Sequence, residues 1–322
     1  MLLRSTFNKF HIQHLTAPRL AVRLCSATMP YSVPVDLARQ IRNNASSIPD
    51  VQKKPVPKQV GLPKGFLDGP ASNVIRSRVD FTKGGLPEYE GAWAVVLDGV
   101  LSQEECDTIV AAAEETTNGT WERAMVNIGG GFQALYEDTR KCGRIMWDNK
   151  ELAEKLLQRI DKEVLSEIDR LEKWSVVTGY GPFKRNEVWK MTRLNERLRF
   201  LKYTGGEYFK GEQTEWWGRR CIANKKKAHC DGAYETPDRK ERSYFTLQLY
   251  LKDSEGKDGE EPLEGGATTF YSPNMKRHMD VVPKAGRVLL FQHRDLIHSG
   301  DDVVSGTKLT LRTDIMYTKE EK

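Results

Sequence analysis

The stretch of sequence that decides the fold is Ala228-His229-Cys230-Asp231-Gly232. His229 and Asp231 are two positions apart, so on an extended segment both side chains leave the same face. An imidazole and a carboxylate at this spacing can occupy adjacent positions around an octahedral metal ion. The candidate third ligand is His298, which follows the apolar strand predicted at Arg287–Gln292. Two histidines and one carboxylate leave three positions open, a donor set that suits non-haem Fe(II) and oxygen chemistry.

His-x-Asp alone is a weak signal, because a histidine at the end of a strand often makes only a structural hydrogen bond. His293 lies five positions before His298 and is the alternative third ligand. The residues beyond His298 strengthen the metal hypothesis. Lys308 lies ten positions after this histidine, at the start of an alternating strand that also carries Arg312. A cation at that place can provide the counter-charge for a bound dicarboxylate.

Four segments, in this order, resemble the 2-oxoglutarate/Fe(II) dioxygenases and, within them, the prolyl 4-hydroxylase-like branch. The segments are His229-Cys-Asp231, Gly265-Gly-Ala-Thr-Thr-Phe270, Pro283-Lys-Ala-Gly-Arg-Val-Leu-Leu-Phe291, and His298 followed by Gly306-Thr-Lys308. The resemblance extends over about residues 90 to 318. It implies a mainly β fold, a double-stranded β-helix of the jelly-roll or cupin-like type, with α-helices packed on one sheet. The short alternating segments from Tyr244 onward agree with this fold class.

The resemblance also implies a function. The protein would be an Fe(II)- and 2-oxoglutarate-dependent dioxygenase that hydroxylates a prolyl residue or another amino-acid-type substrate and releases succinate and CO2. Its cofactors would be Fe(II), 2-oxoglutarate as co-substrate and O2, with ascorbate as a further candidate. The expected partner is a peptide, a protein or a small-molecule substrate. The alternative is a non-hydroxylating, metal-binding cupin-like barrel, which would not need the cation at Lys308, or an interaction module, which would have lost a metal ligand although all three are present here.

Five residues match the 2-oxoglutarate site of the resembling family. Lys308 is expected to bind the far carboxylate and is preferred to Arg312, which is either a second anchor or a salt-bridged structural residue. Tyr250 matches a tyrosine that binds the same carboxylate. Tyr203 matches a pocket tyrosine near the keto-acid end, and Thr268 is expected to line the same pocket. For both tyrosines, packing within the barrel is the alternative role.

Composition describes an ordinary globular protein. Hydrophobic residues make up 39% of the chain and charged residues 30%, and the formal net charge is +5. This modest excess does not indicate a nucleic-acid-binding surface, and no apolar run is long enough to span a membrane. The five cysteines are scattered, with no Cys-x-x-Cys pair. Their pattern favours a reducing compartment over a disulfide framework or structural zinc.

The N-terminal third has a different character. Residues 1–28 carry four basic residues and no acidic one, which predicts a mitochondrial or plastid transit peptide. The alternative is an extension upstream of a start at Met29, which would leave the protein in the cytoplasm. Residues 29–90 hold eight of the fourteen prolines and are predicted to form a linker or wrapping arm. The dioxygenase domain is predicted for 91–318.

Two segments within the domain bear on its architecture. Residues 150–172 place apolar side chains at spacings of four, which predicts one amphipathic helix on the back of the sheet. Residues 211–228 are an atypical insertion, because in the resembling family the preceding strand runs almost directly into His-x-Asp. This insertion contains two adjacent tryptophans and three consecutive lysines. It is either a surface loop beside the metal or an artefact of the gene model.

Overall fold

The structure is a computed structural model that describes residues 58–71, 73–124, 126–129, 132–134, 140–209, 228–256 and 259–321. These residues belong to one compact unit, Asp50–Lys322. The predicted transit peptide at 1–28 lies outside the described residues, and so does the predicted insertion at 211–228 apart from Ala228. None of the described helices is both long and apolar enough to cross a membrane.

The described residues form nineteen strands, five α-helices and one 3-10 helix at Pro87–Tyr89. The strands are β1 (Ile75–Arg78), β2 (Ala94–Asp98), β3 (Glu122–Arg123), β4 (Val126–Gly129), β5 (Phe132–Ala134), β6 (Arg140–Lys141), β7 (Gly143–Asp148), β8 (Arg170–Glu172), β9 (Val188–Leu194), β10 (Arg197–Thr204), β11 (Tyr208–Phe209), β12 (Glu241–Tyr250), β13 (Glu264–Gly265), β14 (Thr268–Tyr271), β15 (His278–Val281), β16 (Val288–Gln292), β17 (His298–Gly300), β18 (Val303–Ser305) and β19 (Thr307–Lys319). The α-helices are α1 (Gln103–Thr116), α2 (Lys150–Arg159), α3 (Lys162–Ile168), α4 (Ser175–Thr178) and α5 (Tyr180–Lys184).

Two sheets form the body of the fold. The larger sheet has the strand order β1-β2-β16-β12-β19-β10-β7-β3, with β9 paired to β19 and β8 to β9. The smaller sheet has the order β15-β14-β17-β11-β6. Their inner faces are in contact: the Tyr250 hydroxyl donates to Thr268 at 2.7 Å, and the Phe270 and Phe291 rings lie 5.7 Å apart. The predicted fold class, a double-stranded β-helix with flanking helices, is confirmed.

Side-chain alternation along β19 gives the larger sheet two different faces. Leu311, Ile315 and Tyr317 are fully buried on the face that carries the helices. Lys308 and Arg312, at even-numbered positions, line a cleft on the face towards the smaller sheet. One strand therefore contributes both to the hydrophobic core and to the candidate site.

The single helix predicted for 150–172 is wrong. The chain forms α2, α3 and β8 over this range, because Ile160 leaves the helix with ψ of 137° and Asp161 begins a new one. The Asp161 carboxylate accepts hydrogen bonds from two backbone N–H groups of α3, which makes it an N-cap. All five apolar residues of the predicted stripe are nevertheless buried: Leu152, Leu156, Ile160, Val164 and Ile168. The prediction that this segment packs on the sheet is confirmed.

The proline-rich linker or arm predicted for 29–90 is described from residue 58 onward, and this part packs as an arm. Its strand β1 pairs antiparallel with β2 at the edge of the larger sheet. Phe81 is 3% exposed and packs edge-on against Phe270, with ring centroids 5.3 Å apart. Leu86 is completely buried in the same cluster. The folded part of the chain therefore begins before Gly91, the predicted domain start.

We expect Phe81→Ala to lower the free energy of unfolding by about 3–5 kcal/mol, the usual cost of removing a buried phenylalanine ring. Ile75→Ala is the matched control, because Ile75 lies in the same segment but is 67% exposed. Its effect should stay within about 0.5 kcal/mol. Chemical denaturation of both variants measures the difference. Equal effects would mean that the segment is only a linker.

Candidate metal centre

The structure brings the three predicted metal ligands together. One ligand atom from each of His229, Asp231 and His298 lies within 4.8 Å of the others. Asp231 Oδ1 is 3.5 Å from Nε2 of His229 and 3.7 Å from Nε2 of His298. His293, the alternative third ligand, is outside this group, and its Nε2 instead lies 3.7 Å from Asp314 Oδ1.

Backbone pairing sets the positions of the two histidines. His229 and His298 form an isolated antiparallel bridge, with reciprocal N–H···O hydrogen bonds of 2.8 Å. The His298 ring also packs edge-on against Phe291, with centroids 4.8 Å apart. A segment of 228–232 that lies outside the regular sheets is thereby aligned with strand β17.

The hydrogen bonding of His298 leaves one ring nitrogen available for a metal. Its Nδ1 lies 3.0 Å from the carbonyl oxygen of Leu296, which can only accept, so Nδ1 carries the proton. Nε2, on the side of Asp231, then has a free lone pair. Burial lowers the pKa of His298 to about 4, so the imidazole is neutral at physiological pH. A metal ligand requires this neutral state.

The Asp231 carboxylate is held at both oxygens. Oδ2 accepts a hydrogen bond of 2.6 Å from the Thr246 hydroxyl, and Oδ1 lies 2.7 Å from Nη2 of Arg312. Burial acts to raise the pKa of Asp231, but Arg312 and the two histidines outweigh it and hold the pKa well below its usual value. An ionised carboxylate beside two imidazoles, one fixed as a neutral donor, is a donor set that fits Fe(II).

The cleft continues from the triad to Lys308, which is 4% exposed. Its Nζ lies 5.6 Å from the ring centroid of Tyr203, its partner on the neighbouring strand β10. Within the described residues, Lys308 makes no hydrogen bond and has no carboxylate at salt-bridge distance. Burial lowers the pKa of Lys308 to about 8, although the more distant charge of Asp301 opposes the shift. A buried ammonium without an anionic partner is unfavourable, so Lys308 would be stabilised by binding an anion in the cleft.

Thr268 and Tyr250 occupy different layers of the same wall. Thr268 lines the cleft, whereas Tyr250 is fully buried and reaches it only by donating a hydrogen bond of 2.7 Å to Thr268 Oγ1. The same oxygen accepts from Gln248 Nε2 at 2.7 Å. Both lone pairs of the threonine hydroxyl are thus in use, which leaves its proton free to be donated into the cleft.

Arg312 and Lys308 differ in their partners. Arg312 is paired with Asp231, as the alternative prediction of a salt-bridged residue stated. Three further site residues were missed in the sequence: Thr246, which binds Asp231, and the lining residues Gln248 and Thr310. The signal that identifies them is alternation, because each lies two positions from a predicted site residue or from another member of the same strand face.

Residues 219–313 match the family model described as the 2OG-Fe(II) oxygenase superfamily. A comparison with curated proteins found no match. The solved structures that resemble the chain include a viral collagen prolyl hydroxylase from Paramecium Bursaria Chlorella virus-1, at 20% identity over 71% of this chain and 97% of that one, with a TM-score of 0.37. A prolyl-4-hydroxylase from Pseudomonas putida matches at 16% identity over 73% of this chain and 99% of that one, with a TM-score of 0.40.

The family match contains His229, Asp231, His298 and Lys308, the residues that meet in the cleft. Over this region the chain is similar to the 2OG-Fe(II) oxygenase superfamily, and the His-Asp-His site in the same region makes it a 2-oxoglutarate-dependent dioxygenase that uses Fe(II), 2-oxoglutarate and O2.

Proposed function

We propose that the protein hydroxylates a prolyl residue or another amino-acid-type substrate, with His229, Asp231 and His298 as the iron ligands. The observation that supports the site assignment most directly is the buried ammonium of Lys308 at the far end of the cleft that holds the triad. The proposed substrate class rests on the motifs that resemble the prolyl 4-hydroxylase-like branch, since the cleft geometry alone defines only the co-substrate side.

The spacing along β19 fits a short dicarboxylate. Lys308 and Arg312 are four residues apart on one strand, so their Cα atoms are about 13 Å apart. Arg312 marks the metal end through Asp231, and Lys308 marks the other end. The side chains of Lys308 and Arg312 take up part of this distance. The gap that remains between their charged groups suits the five-carbon chain of 2-oxoglutarate. Lys308 would bind the distal carboxylate and Thr268 would donate a second hydrogen bond to it.

The chain's own residues prepare the reaction. Bound Fe(II) supplies the O2 chemistry that couples decarboxylation of 2-oxoglutarate to hydroxylation of a C–H bond. Leu296 fixes the tautomer of His298, and Thr246 and Arg312 fix both oxygens of Asp231, so the ligands need little reorganisation. Tyr203 and Leu201 line the cleft beside Lys308. They would exclude water from the ion pair that Lys308 forms with the distal carboxylate of bound 2-oxoglutarate.

Asp231→Ala tests the ligand assignment. We expect this variant to lose stoichiometric Fe(II) binding and succinate formation, because two imidazoles alone do not neutralise or hold the ion. Glu154→Ala, which removes an exposed carboxylate on α2, is the control and should behave like the parent. Metal analysis and succinate measurement with 2-oxoglutarate alone provide the readouts. Turnover at the parent rate in Asp231→Ala would show that the ligand assignment is wrong.

Lys308→Ala should raise the KM for 2-oxoglutarate by about thirtyfold to several thousandfold, since removing one partner of a buried ion pair costs about 2–5 kcal/mol. Arg312→Ala should raise it less, because Arg312 already has Asp231 as its partner. The opposite order would identify Arg312 as the anchor.

The same assignment predicts a pH dependence. The free enzyme holds Lys308 protonated below about pH 8 and loses the ammonium above it. The KM for 2-oxoglutarate should therefore rise towards about tenfold per pH unit above pH 8. Lys308→Arg stays charged over this range and should give a flat profile. A parent profile that is equally flat between pH 7 and 9.5 would exclude Lys308 as the titrating anchor.

Thr268→Val and Tyr250→Phe separate the two layers of the wall. Thr268→Val removes the hydroxyl that faces the cleft, so it should raise the KM for 2-oxoglutarate by about ten- to 150-fold, the cost of one hydrogen bond to a charged group. Tyr250→Phe should have the smaller effect, because the Tyr250 hydroxyl reaches the cleft only through Thr268. Steady-state kinetics on both variants decide the order, and a larger effect of Tyr250→Phe would place its hydroxyl on the carboxylate.

A further inference from the structure

A second group of polar side chains lies in the larger sheet on the side of Arg312 away from Lys308. His293 and Asp314 are each 4% exposed. Oδ1 of Asp314 and Nε of Arg312 are buried without a hydrogen-bond partner, and the buried ring of His293 has the backbone of Phe245 as hydrogen-bond partner for only one of its two nitrogens. These three residues are called the Asp314 cluster below. Buried polar atoms are nearly always paired in folded proteins, so three such atoms in one place, one on each residue, indicate that a bound molecule is missing.

The Asp314 cluster is adjacent to the metal ligands. Asp314 follows Arg312 by two positions on β19, so their Cα atoms are about 7 Å apart on the same face. Across the ladder, Asp314 pairs with Thr246, whose hydroxyl binds Asp231. The proposed order along the sheet face is therefore Lys308, then Arg312 with the triad above it, then Asp314 with His293. A substrate would have to approach the metal from this second side, since 2-oxoglutarate occupies the first.

The charges of the cluster are already balanced. Arg199 Nη1 binds Asp314 Oδ2 at 3.1 Å, and Arg312 is paired with Asp231. Burial lowers the pKa of His293, which keeps its ring neutral. A carboxylate guest would meet Asp314, and an ammonium guest would meet two guanidinium groups. Since each would also lose its hydration on burial, the balance favours a neutral guest.

The unpartnered atoms specify what this guest must offer. Asp314 Oδ1 only accepts hydrogen bonds and Arg312 Nε only donates them. The neutral His293 ring keeps one nitrogen for a bound group, because the other is next to the Phe245 backbone, and its Nε2 stops 3.7 Å from Asp314 Oδ1, beyond hydrogen-bond distance. A neutral group with an N–H and a carbonyl oxygen side by side satisfies both kinds of atom. That group is a carboxamide.

We propose that the Asp314 cluster is a subsite for a carboxamide of the primary substrate, close to the carbon that is hydroxylated. This inference rests on the proposed function, because it takes the iron to lie at the triad. The carboxamide comes either from the backbone of a peptide or from a small amide, including an amino acid with an amide side chain. His293 and Asp314 act as specificity-determining residues, and they discriminate amides from the corresponding esters and acids.

The first experiment uses the full chain loaded with Fe(II) and supplied with 2-oxoglutarate and O2. One arm offers a library of end-blocked peptides about seven residues long, and the other offers free amino acids and their N-acetyl amides. Mass spectrometry identifies products that gain one oxygen atom. We expect oxidised products only among compounds with a carboxamide, and the arm that yields them identifies its source. If succinate forms but no carboxamide is oxidised, the subsite is wrong while the dioxygenase assignment stands.

The second experiment replaces each amide of an oxidised compound by an ester, one at a time. At one position the ester should raise the KM at least about tenfold in the parent, because its oxygen faces Asp314 without a proton to donate. Asp314→Asn should remove most of this penalty, since the asparagine amide can donate to the ester oxygen. Glu187→Gln neutralises another buried, arginine-paired carboxylate, which lies outside the site, and should retain the penalty in full.

The ester series on the parent needs no folded variant, so it tests the proposal even if Asp314→Asn is unstable. Tolerance of every ester with less than about threefold change would mean that the cluster holds only an ordered water, and the proposal would be overturned. An equal ester penalty in the parent and in a folded Asp314→Asn protein would overturn it as well, by locating the amide elsewhere.

Discussion

The buried carboxylate of Asp231 is the interaction on which the rest of the site depends. Its side chain is almost completely removed from solvent, yet it stays ionised because Arg312 and Thr246 occupy its two oxygens. Arg312 and Thr246 come from adjacent central strands of the larger sheet, whereas His298 comes from the smaller sheet. One charge thus ties together the two halves of the fold. It also separates two regions of the sheet face, with Lys308 on one side and Asp314 on the other.

The alternation of β19 explains how a single strand serves these different requirements. Its helix-facing residues belong to the main hydrophobic core, so the strand cannot shift in register without exposing them. Lys308, Arg312 and Asp314 are therefore held at fixed intervals by packing that has no contact with any ligand. The recognition of a co-substrate at one end and the proposed recognition of an amide at the other are both consequences of that rigid spacing.

Much of the site could be predicted from the sequence, because its chemistry is carried by residue types at short, regular spacings. The triad and Lys308 belong to this class. The partners of Arg312 and Tyr250 could not be predicted, since they depend on which strands lie side by side across long sequence separations. The end of the helix before Asp161 could not be predicted either. The apolar spacing of four residues continues past this point, whereas the helical backbone conformation does not. In each case the periodicity identified the buried face correctly, and tertiary hydrogen bonding decided the local geometry.

The position of β19 at the centre of the larger sheet has a consequence for how the protein folds. This strand pairs with β9, β10 and β12, yet it is the last strand along the described part of the chain. At the opposite end of the described sequence, the Trp93 amide binds the Gln292 side chain across 199 residues. Contacts of this separation form slowly, and synthesis proceeds from the N-terminus. The sheet can therefore close only after residues 307–319 have been synthesised, and until then β9, β10 and β12 each present an unpaired edge that invites association with other chains.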